Sequence, residues 1–324
     1  MGEFDLIKQY FTRNKRLDRA DVLLAIGDDC AVTQVPAHHR LAITTDTLVC
    51  DTHFLADICP ADLAYKAIAV NLSDLAAMGA TPRWVSLALT LPECDHQWLS
   101  DFSQGLFQIL DEYDVELIGG DTTKGHLSLT ITAQGFIPQQ QGLFRHQAKV
   151  NDLIYVSGYL GDSAAGLDLL LNPKSSEFNS AQRYLLQRHL KPTPRIALGK
   201  LLLDYSQCAI DISDGLLADL SHILSRSQCS AEIEVDKLPL SQAIQTEYSH
   251  SQAINFALTG GEDYELCFTI PENKQIDFEN MLKVQQLNCY CIGKITSQSA
   301  ENIRLLNQGK RIPLPKQIGF DHFR

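Results

Sequence analysis

The chain has 324 residues, 45% hydrophobic and 20% charged, with a formal net charge of −12 at pH 7. That length favours two domains over a single core, and the composition is that of an ordinary soluble globular protein. The acidic balance argues against a nucleic-acid or anionic-membrane surface, since both demand a basic face. No segment approaches the roughly 20 apolar residues of a membrane span. The opening MGEFDLIKQYFTRNKR carries charges where a secretory leader needs an apolar stretch. Nine cysteines form no CxxC pair and leave one over, which reads as reduced thiols in a cytoplasmic protein rather than as a disulfide or zinc framework.

In chain order, a helical stretch precedes IGDDCAV (26–32) and HRLAITTDTLV (39–49), both read as strands and joined by a turn containing Pro36. Pro60 opens a helix that runs to about Met78, and Gly79 stands in the place of a C-cap. A strand RWVSLALTL (83–91), a helix SDFSQGLFQILDEY, a strand and turn VELIGGDTT and a strand HLSLTITAQGFI follow. The polar PQQQG (138–142) reads as a surface turn, and a domain boundary is placed there, giving 1–142 and 143–324. In the second half DLIYVSG (152–158) is a strand and DSAAGLDLLL (162–171) a helix, followed by a loop NPKSSEFNS and helices near 181–190 and 194–205. CAIDI is a strand, GLLADLSHIL a helix and AEIEVD a strand. YELCFTI (264–270), a helix near 273–286 and CYCIGKI (289–295) complete the pattern. Alternating strands and helices in both halves define an α/β or α+β class.

Carboxylates punctuate this pattern. DISDG places Asp211 and Asp214 three apart between an apolar run and a helix; Asp28-Asp29, Asp46, Asp121 and Glu262-Asp263 are likewise expected where apolar strands stop. Asp74 differs, lying inside a predicted helix. Singly, each reads as a helix cap or a solvated turn. Together they read as an oxygen-rich site, because like charges brought close repel unless cations lie between them. Hard oxygen ligands without neighbouring Cys or His pairs favour Mg²⁺, Mn²⁺ or Ca²⁺ over zinc. Such a site suits nucleotide phosphates. GxxxxGK[ST] is absent, GYLGDSAAG (158–166) has the wrong spacing for a P-loop, and no protein-kinase motif is present.

Taken in order, IGDDCA, TTDTLV, THF, NLSDLAAMGA, GGDT, SGYLGDSAAGL, RHLKPTPR, DISDGL, GGEDYEL and GFDHF resemble the thiamine-monophosphate kinase family, within the aminoimidazole ribonucleotide synthetase-like superfamily. Each motif alone is weakly specific and the ordered set is highly so. The resemblance implies a two-domain synthetase-like α/β fold whose N-terminal domain contributes to a dimeric β-barrel. It implies ATP-dependent phosphorylation of thiamine monophosphate to thiamine diphosphate with release of ADP, in a cytoplasmic homodimer using several Mg²⁺ ions. Carried over by motif, Asp29, Thr44, Thr45, Asp46, Asp74, Asp121, Asp211 and Asp214 would serve Mg²⁺. Gly120, Asp121, Arg145 and Ser213 would serve ATP; His53, Glu262 and Phe320 would serve thiamine monophosphate. No general base is expected, because a phosphate monoester with a second pKa of about 6 is already largely dianionic at neutral pH. One departure is local: Cys50-Asp51-Thr52 stands where the family often has Glu-Gly-Val before His-Phe. The competing readings are another ATP-using synthetase of the superfamily, and a non-catalytic nucleotide- or cation-binding relative.

Overall fold

The computed structural model describes residues 2–13, 19–173 and 177–319. The chain divides into two compact units, Met1–Leu75 with Ala80–Gln140, and Ala76–Gly79 with Gln141–Arg324.

The first unit carries α1 (Glu3–Leu6), a π-helical turn (Ile7–Phe11), β1 (Val22–Leu24), β2 (Val32–Thr33), β3 (His39–Val49) and α2 (Pro60–Ala77), whose last two residues count with the second unit. It continues through β4 (Thr81–Leu91), α3 (His96–Glu112), β5 (Glu116–Lys124) and β6 (Ser128–Pro138). Four strands form one open sheet in the order β3-β6-β4-β5, so β3 is an edge. No closed barrel occurs among the described residues, and the expected barrel is not completed by the strands of one chain. β3 pairs with β6 antiparallel over its full length, His39↔Pro138 to Val49↔Ser128. Leu63, Ile68, Leu72 and Leu75 of α2 are at most 1% exposed, and a helix apolar all round must lie inside. At Gly105 of α3 an added Cβ would stand 2.2 Å from the Ala61 carbonyl oxygen, so the glycine lets the two helices touch.

The second unit contains β7 (Leu153–Ser157), α4 (Asp162–Leu171), α5 (Ser180–Leu190), α6 (Ile196–Tyr205), β8 (Ala209–Asp211) and α7 (Leu216–Ser227). Then come β9 (Cys229–Glu234), α8 (Gln242–Glu247), α9 (His250–Thr259), β10 (Leu266–Ile270), α10 (Gln275–Gln285), β11 (Cys289–Ser297), β12 (Ile303–Asn307) and β13 (Lys310–Ile312). Seven strands form a mixed sheet, β13-β12-β9-β11-β7-β10-β8, parallel only between β9 and β12. Alternation sorts its side chains into two layers. Ile154, Val156, Ile210 and Cys267 pack with Leu216, Leu217 and Leu220 of α7. Tyr155, Ala209, Leu266 and Phe268 pack with Leu198 and Leu202 of α6 and Phe278 of α10.

Three sequence expectations change. IGDDCAV is not a strand: Gly27 has φ +124° and Asp28 and Asp29 are exposed in a turn, leaving only Val32–Thr33 to pair with β1. The acids do not uniformly end strands. Asp46 lies inside β3 and Asp121 inside β5, Glu262-Asp263 precede β10, and only Asp211 closes a strand. Residues 242–259, for which no element was expected, form α8 and α9. Both start on serine caps, Ser241 and Ser249, whose hydroxyls accept the Ile244 and Gln252 N–H groups. No helix among the described residues is long and apolar enough to cross a membrane.

Candidate active site

In the first unit the expected residues fall into two groups. Thr44 and Asp46 share the face of β3 that meets α2: the Thr44 hydroxyl donates to Asp74 Oδ2, and Asp46 feels the charge of Asp74. Burial, reinforced by that charge, pushes the Asp46 carboxyl up to about 6. Two carboxylates held this way disfavour each other's ionisation until a cation lies between them. Thr45 points the other way, its hydroxyl 2.9 Å from Thr132 Oγ1 in an outward row continued by Thr47 and Thr130, also 2.9 Å apart. What Thr45 can offer on the Asp46 side is therefore its main-chain carbonyl alone.

The second group lines a cavity of about 630 Å³ formed by Asp28, Asp29 and Cys30 with Gly119, Gly120 and Asp121. Gly120 adopts φ +154°, and a Cβ there would lie 1.9 Å from the Leu87 carbonyl oxygen, so no other residue lets β5 approach β4 this closely. Register sets Asp121 beside Ala88, which pairs with Thr130 and Thr130 with Thr47, the row of outward-facing threonines.

His53 sits in the turn after β3, where its Nδ1 accepts the Val49 N–H at 3.1 Å. That bond fixes the neutral tautomer with its proton on Nε2. Asp51, standing in for the family's glycine, adopts φ +64°. Asp tolerates the left-handed region better than most residues, so this backbone conformation is open to the residue present.

In the second unit, three motif loops interlock through their backbones. The Glu262 N–H donates to the Ser213 carbonyl at 2.7 Å and the Tyr264 N–H to that of Ile212 at 2.9 Å. A Cβ at Gly261 would stand 2.6 Å from the Ser213 oxygen, and one at Gly215 (φ +118°) 2.8 Å from the Thr259 oxygen. Glu262 and Tyr264 themselves hold φ +65° and +50°, strain of the kind that packing sustains at functional sites. Two carboxylates pin the loops. Asp219 Oδ2 accepts the N–H groups of Ser213, Asp214 and Gly215 at 3.1, 3.0 and 3.0 Å. Asp263, 1% exposed, accepts those of Gly161 at 2.6 Å and Ser163 at 3.2 Å, tying GGEDYEL to SGYLGDSAAGL. Burial, then the nearby Asp214 charge, raises Asp219 to about 7, while Arg145 pulls it down; burial raises Asp263 to about 8. Arg145, Asp211, Ser213, Asp214 and Glu262 thus gather around one loop. His189 joins them, its Nδ1 3.1 Å from Ser163 Oγ and 3.4 Å from Glu262 Oε2. A Cβ on Gly319 would meet the Asp214 carbonyl oxygen at 2.8 Å, which brings the C-terminal segment to the same loop; Phe320 lies outside the described residues.

Asp219 and His189 were not singled out from sequence; their signal was weak, since an Asp one turn into a helix and a His at a helix end read as caps or core. Asp263 was read with Glu262 among the acids of an oxygen-rich site, and it is instead buried and bound to backbone N–H groups. Among the described residues no three His, Cys, Asp or Glu side chains already stand together as a metal cage. The donor set still fits a hard cation, since the crowded groups are carboxylates and hydroxyls without thiolate or paired imidazole.

Comparison with known proteins bears on the fold and the family. Residues 27–137 match the model of the AIR synthase related protein N-terminal domain, and residues 149–305 that of the C-terminal domain. The chain is 57% identical to the thiamine-monophosphate kinase of Haemophilus influenzae over 325 aligned residues, covering 100% of this chain and 98% of the relative. The crystal structure of thiamine-monophosphate kinase from Stenotrophomonas maltophilia superposes with a TM-score of 0.84 at 42% identity, over 89% of this chain and 92% of that one. AaThiL complexed with AMPPCP and TMP superposes with a TM-score of 0.79 at 34% identity, over 99% and 96%. The two-domain AIR synthase-like fold and the end-to-end identity place this chain in the thiamine-monophosphate kinase family.

Proposed function

We propose that this chain transfers the γ-phosphoryl group of ATP to thiamine monophosphate, giving thiamine diphosphate and ADP. The observation that carries this reading is the 57% identity with a thiamine-monophosphate kinase along essentially the whole of both chains. The local geometry supports it. The acceptor is already anionic, so the protein's task is to position two negatively charged reactants and offset their repulsion rather than to remove a proton. Asp46 and Asp74, with Thr44 hydrogen-bonded to Asp74 and the Thr45 carbonyl, would hold Mg²⁺ on one face of the first unit's sheet; Asp29 and Asp121 would serve it at their own cavity, and Asp211 and Asp214 would serve it in the second unit. Bound there, Mg²⁺ supplies charge neutralisation of the phosphates and alignment of attacking and leaving oxygens.

The protein's own groups divide the remaining work. Gly120, its backbone held close against β4, would contact ATP beside Asp121 in the cavity they share. Ser213 belongs to the loop that Asp219 pins, and Arg145 would bring its guanidinium to phosphate oxygens there. His53, with its proton on Nε2, donates to the substrate. Glu262, oriented by His189, balances the positive charge of the thiazolium ring. Phe320 would add an aromatic contact. The exposed face of edge strand β3, with Leu41 37% and Ile43 61% exposed, supports pairing of two copies into a homodimer, and nine free cysteines support a reducing, cytoplasmic location. The test is direct: purified protein, ATP, Mg²⁺ and thiamine monophosphate, with thiamine diphosphate followed by chromatography. Product formation at a rate dependent on all three additions is expected; no product from an intact, folded preparation overturns the assignment.

A further inference from the structure

RHLKPTPR (188–195) belongs to none of the residue sets assigned to ATP, metal or thiamine monophosphate. It closes α5, crosses to α6 through Pro192 and Pro194, whose rings fix φ, and ends on Arg195, the residue from which α6 starts. Three of its side chains reach the segment 262–265. Arg188 Nη2 donates to Glu265 Oε1 at 2.9 Å and lies 3.4 Å from the Asp263 carbonyl oxygen. Arg195 donates to Glu265 through Nε at 2.6 Å and also through Nη2. His189 Nδ1 stands 3.4 Å from Glu262 Oε2. Successive side chains leave a helix roughly 100° apart, which lets one helix end hold both ends of so short a segment.

The charges here compensate one another. Glu265, 0% exposed, also accepts the Ser157 hydroxyl at 2.6 Å. Asp162 and Asp263, both buried, lie close enough to Arg188 to share its charge, and Thr193 accepts its Nη1 at 3.1 Å. The network is directed inward, to the protein's own acceptors. Replacing a buried Arg–Glu–Arg arrangement by apolar side chains is often neutral or stabilising, so stability alone gives little reason to keep one. What it holds gives a better reason. Glu262 and Tyr264, on either side of Asp263, both carry left-handed backbone, φ +65° and +50°, which residues other than glycine keep only when their surroundings over-determine it. The N–H bonds of Glu262 to Ser213 and of Tyr264 to Ile212 supply part of that constraint; Arg188, His189 and Arg195 supply more.

We propose that RHLKPTPR is a positioning clamp for the Glu262 loop, and that His189 aims the Glu262 carboxylate at the thiamine monophosphate subsite. The aim of Glu262 rests on the kinase reading; the clamp does not. An ionised carboxylate only accepts. An unprotonated Nδ1 would set a lone pair against it, so the His189 proton sits on Nδ1, between Ser163 Oγ at 3.1 Å and Glu262 Oε2. The Glu262 side chain, 27% exposed, is thereby held in one orientation while remaining open to a ligand.

Hydrogen exchange of the full chain without ligand reads the clamp. Arg188→Gln should speed exchange across 260–266 by about tenfold or more while β12 keeps its native rate. Should that variant not fold, Thr193→Val, which releases only Arg188 Nη1, should give a smaller change in the same segment. Native exchange there in a folded variant overturns the proposal, whether or not the chain turns over. Kinetics read the consequence. His189→Leu should raise KM for thiamine monophosphate about three- to tenfold, the scale of one hydrogen-bonded contact, and leave KM for ATP within about twofold. His189→Asn, whose side-chain N–H group falls near the place of Nδ1, should restore KM to within about twofold, and His189→Gln, whose group falls near Nε2, should not. In a Glu262→Gln background, His189→Leu should add less than about twofold. A packing role alone would favour Leu over Asn and would add in full to Glu262→Gln; either result overturns the proposal. Failure of the native chain to form thiamine diphosphate would instead remove the kinase reading, and exchange would still decide the clamp.

Discussion

Asp46 and Asp263 show how one residue type serves opposite ends. Both are pushed up by burial, yet Asp46 faces another carboxylate while Asp263 faces two backbone donors. Asp46→Asn removes a charge that the metal-free fold disfavours above about pH 6. Thermal melts in chelator should therefore show no loss of stability, while turnover falls on the order of 100-fold or more; a variant with wild-type turnover would remove Asp46 from the metal set. For Asp263 the folded form holds its proton between the ordinary 3.8 and about 8. The folded state then binds more protons than the unfolded chain across that window, so this group's contribution to stability falls as pH rises through it. Urea unfolding at about pH 5 and about pH 8 should show a smaller pH dependence in Asp263→Asn than in the native chain. Equal slopes in the two would show that Asp263 does not titrate in that range.

The decisive elements are loops, and each is held by a side chain from outside it. Asp219, in the first turn of α7, collects three consecutive N–H groups of the loop before it. Asp219→Ala should cost about 1–3 kcal/mol, the penalty for stranding buried donors, and raise KM for ATP as Ser213 and Asp214 lose their fixed positions. Asp219→Asn keeps an acceptor oxygen and should recover most of both losses. If Asp219→Ala lost stability without any change in KM, the carboxylate would be structural only. DISDG was legible as a strand-to-helix turn because an apolar run meets a helical pattern there, and β8 and α7 form as expected. IGDDCAV misled for a physical reason: a left-handed Gly27 and two solvated aspartates break the run that its apolar ends suggest.

Across the whole molecule, the sheet of the first unit leaves an edge strand of eleven residues with Leu41 and Ile43 exposed on its outward face, a feature that folded chains usually cover or blunt. A second copy of this chain is the occupant proposed for it. Ile43→Asp, on that face and 61% exposed, should turn a dimer into a monomer in light scattering while leaving the circular dichroism spectrum unchanged. An unaltered mass would place the pairing surface elsewhere.

Sequence alone determined the alternation of strands and helices, the α/β class and, through ten motifs in fixed order, the family. These are local or linear properties, written in periodicity and succession. Which face of β3 each threonine takes, that Asp263 is buried beneath the loops rather than displayed by them, and that Arg188 and Arg195 converge on Glu265 were decided only by tertiary structure. Register, burial and the meeting of distant segments are set by packing between residues tens or hundreds of positions apart, and nothing in a residue's own neighbourhood encodes its partner across the sheet.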